Sequence, residues 1–477
     1  MRRAEALLAV VLCAGTSACS LAPAYAPPAA PQVSAYKEDK GWTQAQPADT
    51  LPRSAWWKVF KDPVLDGLED KVDASNPTLA QALARYQAAQ GLLGVARSAE
   101  GPRLGANGTV SRNRQSDNRP LRGSNQPDEY AADGIGVQLD YELDLWGRVR
   151  NEVAAQKADV QASAADLASV KLALEAELAD DYVRLRGLDA QGDLLAQTVK
   201  AYERTDSLIA KRHTNGLASK LDVDRSRTLL ETARAQASDV ASRRALLEHA
   251  LASLSGETAS TFTLAAQPQP ASAPNIPAAV PSELLQRRPD VASAERRMAA
   301  ANAEIGVARA AFFPVISLDG TAGYQNTGGP NLLSAPNSYW GIGPQLLFTI
   351  FDSGRRHAQE DVAKAQYDQA AGAYRARVLQ AFQDVEDALS LENRLAVEAI
   401  DQQQAVQAAD EAQALALKRF NRGVISYLDV ITAQTAALQA DQAAFDLSTR
   451  RSEASIRLVR AIGGGWTEAG IKTARAD

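Results

Sequence analysis

Three carboxylates raise the first question about chemistry. Asp140, Glu142 and Asp144 stand at alternate positions of "GIGVQLDYELDLWGRVR", residues 134–150. On an extended strand they share one face about 7 Å apart, a separation at which paired carboxylates can serve as acid and nucleophile in glycoside hydrolysis. The stretch has a counterpart, "GIGPQLLFTIFDSGRR" at 341–356, which carries Leu347, Thr349 and Phe351 at those positions. An acid pair absent from its own copy reads better as a water-facing wall than as an active centre. His213, His249 and His357 are scattered without metal-ligand spacing, and no glycine-rich phosphate loop or nucleophile elbow occurs. The elements around these acids, rather than the acids, have to carry the function.

Bulk properties narrow the classes. The 477 residues are 45% hydrophobic, a fraction inflated by alanine. After the leader no apolar run reaches the roughly 18 residues of a membrane helix. Membrane contact must then come from strands or a lipid. The net charge of −6 argues against a nucleic-acid partner.

Both cysteines fall in the first 19 residues. Arg2 and Arg3 precede an apolar stretch and then "TSACSLAPAY", which reads as an export signal (1–18) ending at a lipidated Cys19. Small Ser17 and Ala18 precede Cys19, whereas bulky Leu12 precedes Cys13. Thr16 departs from the leucine usual in lipoprotein signals. An ordinary cleaved signal is the alternative. Ser20 resembles the pattern sorted to the outer membrane. After processing at most one cysteine remains, so no disulfide is possible.

All 21 prolines lie at or before Pro127 or from Pro268 to Pro344. The tracts 128–267 and 345–477 thus lack helix breakers and are rich in good helix formers. Two long hairpins are expected, 148–255 and 355–462, the first arm extending about 100 Å at 1.5 Å per residue. Tyr367, Ala371, Tyr374, Val378, Phe382, Val385 and Leu389, spaced by fours and threes, make one narrow seam. Each hairpin turns at a matching motif: "KRHTNGLASKLDV" (211–223) repeats 207 positions later as "KRFNRGVISYLDV" (418–430). Gly216 and Gly423 are left-handed helix stops, and Ser219 and Ser426 cap the returning helices. Upstream, residues 76–102 match 288–314 at an offset of 212. The unit is written twice, as repeat 1 (73–256) and repeat 2 (289–464). A lipid-anchored, equatorial segment (19–72), a Pro-rich connection (257–288) and a tail (465–477) complete the chain.

The duplicated strands alternate strictly. Ile135, Val137, Leu139, Tyr141, Leu143 and Leu145 interleave with polar residues, and Ile342, Leu346, Phe348 and Ile350 do so in the copy. Strands at about 103–113, 133–146, 315–325 and 339–351 are predicted to cross a membrane, with Trp146, Tyr324, Tyr339 and Trp340 near its interfaces. Pro344 suggests a bulge or an unpaired donor. Four strands cannot close a barrel, and an open edge in lipid costs several kcal/mol per unsatisfied group, so strands must be pooled between chains. The predicted class is mainly α with a transmembrane β-barrel.

"WWKVFKDPVLDGL", "LLQRRPDVASAERR", "IGVARAAFFP" and "AIGGGW" resemble signatures of the TolC-type outer membrane factors, lipoprotein branch, similar to the OprM and NodT groups of efflux channels. The resemblance covers nearly everything from Cys19 to Trp466. It implies a homotrimer whose twelve strands form one barrel on a long α-helical barrel, held in outer membrane lipid with a periplasmic extension. It also implies a periplasmic adaptor and an inner-membrane pump, usually of the resistance-nodulation-division class. The adaptor would meet the tips at Arg212, Gly216, Ser219, Arg419, Gly423 and Ser426. The resting gate would lie just after the second tip, at Leu428, Asp429 and Thr432, although some members carry a second acid where Thr432 stands. Asp429 also fits a plain helix-dipole role, as does Asp222. Conduction is expected to be passive, with no cofactor beyond the lipid on Cys19. Cargo would leave past loops 111–131 and 325–338, the first holding Arg112, Arg114, Arg119 and Arg122 as candidates for ion selectivity or simply a solvated tip. A periplasmic adaptor lipoprotein is the other class weighed, but adaptors carry one hairpin between β-rich halves and this chain carries two.

Overall fold

The computed structural model describes residues 20–27, 36–38, 55–116, 118, 127–269, 274 and 288–464. They fall into two compact units, one drawn from 1–29, 85–163 and 293–374, the other from 30–84, 164–292 and 375–477. Cys19 with its leader, Arg119, Arg122 and the tail 465–477 lie outside the described residues, as does most of the Pro-rich connection.

In chain order the elements are a 3-10 turn at Trp56–Phe60, α1 (Pro63–Ser75), α2 (Pro77–Ser98), β1 (Arg103–Arg114), β2 (Glu129–Glu142), α3 (Arg148–Thr214), α4 (Lys220–Leu254), α5 (Pro289–Ala310), β3 (Val315–Asn326), β4 (Ser338–Leu347), α6 (Arg355–Asn421) and α7 (Tyr427–Ala461). Helices α3 and α6 have 67 residues each and α4 and α7 have 35 each, so the duplicated sequence is also a duplicated structure.

The first unit contains one antiparallel sheet in the order β1-β2-β3-β4. Its register puts Leu104 opposite Leu139, Val137 opposite Ala322 and Gly320 opposite Ile342. The expected apolar face therefore forms, and in the single chain Val110, Trp340 and Ile342 on it stay largely exposed. Solvent-exposed apolar side chains on one whole face are what lipid would cover. Pro344 pairs with Leu318 in unbroken register on an edge strand, so no bulge is needed.

Two strands end earlier than the alternation predicts. β2 spans 129–142 rather than 133–146, and β4 spans 338–347 rather than 339–351. The reason is local: Asp144 accepts from the Val149 and Arg150 backbone amides (3.2 and 2.9 Å), and Asp352 accepts from those of Gly354 and Arg356 (both 3.2 Å). Each acid bonds the start of the following helix and draws the chain out of the ladder, with Gly147, Ser353 and Gly354 supplying positive φ. Leu143 still donates its amide to the Ile316 carbonyl (2.8 Å), and Leu145 continues the alternation only in sequence. Arg112 belongs to β1, where it pairs with Glu129 at 3.0 Å, rather than to a loop.

An N-terminal strap lies on α5 in the same unit. Ser20 Oγ donates to Asn151 Oδ1 (2.9 Å), Arg309 Nη1 to the Leu21 carbonyl (3.3 Å), Asn302 Nδ2 to the Pro23 carbonyl (2.9 Å), and the Tyr25 hydroxyl to Glu295. Ala22 packs at Gly306, where a Cβ would come within 2.8 Å of it.

The second unit has its own core. Trp56, Trp57, Leu65, Leu68 and Val72 pack against Leu178, Tyr182, Leu185, Leu251, Val385, Leu389, Ile456 and Leu458. Asp62 caps α1 through the Val64 and Leu65 amides and accepts from the Tyr182 hydroxyl at 2.5 Å. Two turns along the same face Glu69 is fully buried, and neither carboxylate oxygen has a hydrogen-bond partner. Burial, with Glu175 beside it, pushes Glu69 up to about 10. Burial pushes Glu175 up to about 7 despite Lys171 and a 3.0 Å bond from Trp56 Nε1.

Candidate gate at the paired helix tips

Both hairpins turn by the same device. In the first, the Gly216 amide donates to the His213 carbonyl (2.9 Å) and Leu217 to Arg212 (2.8 Å). In the second, Gly423 donates to Phe420 (2.9 Å) and Val424 to Arg419 (3.0 Å). This crossed pair is a Schellman stop, and it needs a left-handed residue at its end. Gly216 and Gly423 supply it at φ 71° and 73°.

The returning helices start alike too. Ser219 and Ser426 each form a capping box with the acid three residues on. Ser219 N and Oγ reach Asp222 Oδ2 at 3.2 and 2.7 Å, and Ser426 N and Oγ reach Asp429 Oδ2 at 3.0 and 2.7 Å. Asp429 is thus a helix-capping acid. Its second oxygen remains for other work.

Between the tips sits a small apolar cluster. Ile209, Tyr427 and Val430 are buried among Ala218, Val223, Leu417, Phe420 and Ile425. Burial pushes the Tyr427 phenol up to about 12. Arg212, one of the six expected docking residues, is half-buried with its guanidinium stacked on Phe420, 4.7 Å from the ring centre. Arg419, its counterpart, is exposed. The clamp joins the first tip to the second.

The gate candidates are adjacent on the opposite face of α7. Leu428 is 47% exposed, Asp429 and Thr432 are exposed, and Thr432 Oγ1 donates to the Leu428 carbonyl at 3.0 Å. The first copy has the same leucine and acid, Leu221 and Asp222, but Arg225 where the second has Thr432. The Arg225 guanidinium lies 4.0 Å from Asp222. Two apolar knobs, Leu217 (77% exposed) and Val424 (69%), follow the stop glycines and stand on the tips. Sequence reading passed over them, although the 207 offset pairs them.

The former enzyme candidates are otherwise engaged. Glu142 makes a two-point pair with Arg148 (2.8 and 2.6 Å), and Asp144 holds Arg150 at 3.0 Å while capping α3.

Four transmembrane strands and two paired hairpins per chain define an outer membrane channel subunit, in a fold where three chains pool twelve strands into one barrel on an α-helical barrel. The chain belongs to the outer membrane efflux protein family, whose model matches residues 68–257 and 280–464, one match per repeat. It is 34% identical over 464 residues to the outer membrane protein OprJ of Pseudomonas aeruginosa, covering 96% of each chain. It is 32% identical over 460 residues to the toluene efflux pump outer membrane protein TtgC of Pseudomonas putida, covering 94% and 93%. The open-state MtrE outer membrane channel of Neisseria gonorrhoeae superposes with a TM-score of 0.82 at 27% identity, covering 94% of this chain and 99% of that one. The protein is the outer membrane channel of a tripartite efflux system, with adaptor and inner-membrane pump as partners, and its family is one of transport components rather than enzymes.

Proposed function

We propose that the chain is a lipid-anchored duct, closed at rest by Leu428, Asp429 and Thr432, that takes cargo from a resistance-nodulation-division pump. The observation carrying the gate is the unequal pair of tips. A trimer axis repeats an inward side chain three times, and an acid with no arginine on the next turn makes a ring of unscreened charge where Leu428 narrows the passage. Asp222, held against Arg225, makes none. The adaptor would dock on the tips, with Leu217 and Val424 as apolar contacts around Gly216, Ser219, Gly423, Ser426 and the exposed Arg419. Cargo is inferred to be small apolar organic compounds, since related channels are named for antibiotics and toluene.

The anchor reading is supported by Ser20. Its bond to Asn151, in the first turn after β2, puts the residue following Cys19 at the foot of the sheet, where an acyl chain could enter the lipid. Cys19→Ser should abolish palmitate labelling while membrane residence persists through the barrel, and unchanged labelling would refute the anchor. For the gate, planar-bilayer recording of Leu428→Ala with Asp429→Ala should show raised conductance and weaker block by divalent cations. Wild-type values in an intact trimer would assign Asp429 to helix capping alone.

A further inference from the structure

One row of the sheet's polar face is built differently from the rest. Asn107, Gly136, Gly323 and Tyr339 lie opposite one another across all four strands. They alternate with Val137, Ala322 and Trp340 on the apolar face, so in the barrel this row looks into the lumen. It sits next to the β3–β4 loop, because Tyr339 is the second residue of β4, and about midway along β1 and β2.

A side chain on a strand stands roughly perpendicular to its sheet. Tyr339 would then project into the pore, and the trimer would repeat it three times. It does not stand up. A Cβ built on Gly323, its neighbour on β3, would lie 3.0 Å from the Tyr339 hydroxyl, and one built on Gly136, a further strand away on β2, would lie 2.7 Å from it. Strands are about 4.8 Å apart, so only a ring laid along the wall brings its hydroxyl over both glycines. Gly136 is buried by this arrangement while its strand neighbours Ile135 and Val137 are exposed, and Tyr339 itself is half-buried. Neither glycine has positive φ, so what they provide is room rather than backbone freedom.

We propose that Gly136 and Gly323 form a slot that holds Tyr339 flat, and that this posture sets the bore of the barrel near its loop end. Three rings folded against the wall leave the passage open, and three rings lifted from it would narrow the passage and present hydroxyls to the cargo. The proposal rests on the channel assignment and is independent of the gate at the helix tips.

Gly136→Ala is the cleaner probe. The added methyl meets the mobile end of Tyr339, with the Ala322 carbonyl next at 3.1 Å, whereas at Gly323 it would meet the Ile135 carbonyl at 2.3 Å and disturb strand pairing. Purified trimers are recorded in planar bilayers with neutral polyethylene glycols of graded size added on the loop side, which reads the outer mouth directly whatever the state of the gate. Gly136→Ala should lower conductance on the order of twofold in the Leu428→Ala, Asp429→Ala background and shift polymer exclusion to smaller sizes in both backgrounds. Adding Tyr339→Ala should restore wild-type exclusion. Exclusion unchanged by Gly136→Ala, or a narrowing that persists without the Tyr339 ring, overturns the proposal. If Gly136→Ala fails to trimerise, Tyr339→Ala and Tyr339→Trp decide: exclusion should be nearly unchanged for alanine and tighter for tryptophan, and a large opening with alanine would show that the ring already stands in the pore.

Discussion

The two hairpin tips are alike in everything a turn requires and differ in what a turn does not need. Both have the Schellman stop, the left-handed glycine and the capping box, with equivalent bonds within a few tenths of an ångström. Among the matched positions at which they part are Arg225 against Thr432, Lys220 against Tyr427, and His213 against Phe420. Phe420 and Tyr427 of the second tip supply the aromatic half of the buried cluster and the seat for Arg212. The charge at the second tip is in turn left without the cation that screens the first. Shared residues therefore report the fold, and divergent ones report the division of labour between copies.

The largest expected effect breaks this comparison at the acids. Replacing Leu428 and Asp429 together by alanine should weaken divalent block about tenfold, equivalent to ~1.4 kcal/mol, while Leu221→Ala with Asp222→Ala leaves it near wild type. Equal effects at both tips, measured by single-channel titration with Mg²⁺, would remove the asymmetry. Thr432→Arg should mimic the first tip and reproduce most of the loss of block.

Next in size is a test of a second departure between the copies, the buried Glu175 where repeat 2 has Phe382. Its pKa is raised in the folded state, so its contribution is full below about pH 4.5 and is lost as pH rises through about 7. Glu69, raised to about 10, extends the same trend to higher pH. The trimer's melting midpoint should fall between pH 5 and 8, and Glu175→Gln should raise the pH 8 midpoint by about 5 °C. A midpoint independent of pH in the wild type would contradict the raised pKa of these buried acids.

Glycine replacements come third. Gly216→Val and Gly423→Val should each strain the turn by about 1 kcal/mol or more and impair efflux with the trimer intact. Wild-type efflux in the stable double variant would move docking away from the tips. The smallest effect is at the caps. Ser219→Ala and Ser426→Ala should each cost about 1 kcal/mol locally, visible as faster amide exchange confined to the first turns of α4 and α7. A larger change at Ser426 would mean that Asp429 depends on its cap to hold position.

Much of this was legible in the sequence because the signals are local. Alternation gave the apolar strand face, proline-free tracts gave the hairpins, and Gly and Ser at the turns gave the stops and caps to the residue. The misses came from competition or from distance. The alternation through Leu143 and Leu145 is real, but Asp144 bonds the next helix and the backbone follows the acid. The stacking of Arg212 on Phe420, 208 positions away, is likewise invisible to a local reading. Tyr339 could be assigned to the polar face by parity with Trp340. Its posture could not be read, because it depends on glycines on two other strands, one of them in the other repeat.

The strap on α5 has a consequence for how the molecule is made. Ser20 is held by Asn151, and Leu21 and Pro23 by Arg309 and Asn302, nearly 300 positions downstream. The central seam of the sheet likewise waits for β3, since β2 must find a strand that starts at Val315. Contacts this distant in sequence demand loop closure before they return any stability and slow the search for the native state. A chain that emerges amino end first thus cannot complete either contact until the first helix and strand of the second repeat have followed. It must spend its delivery with the apolar strand face of repeat 1 uncovered, the interval in which the protein is most exposed to aggregation.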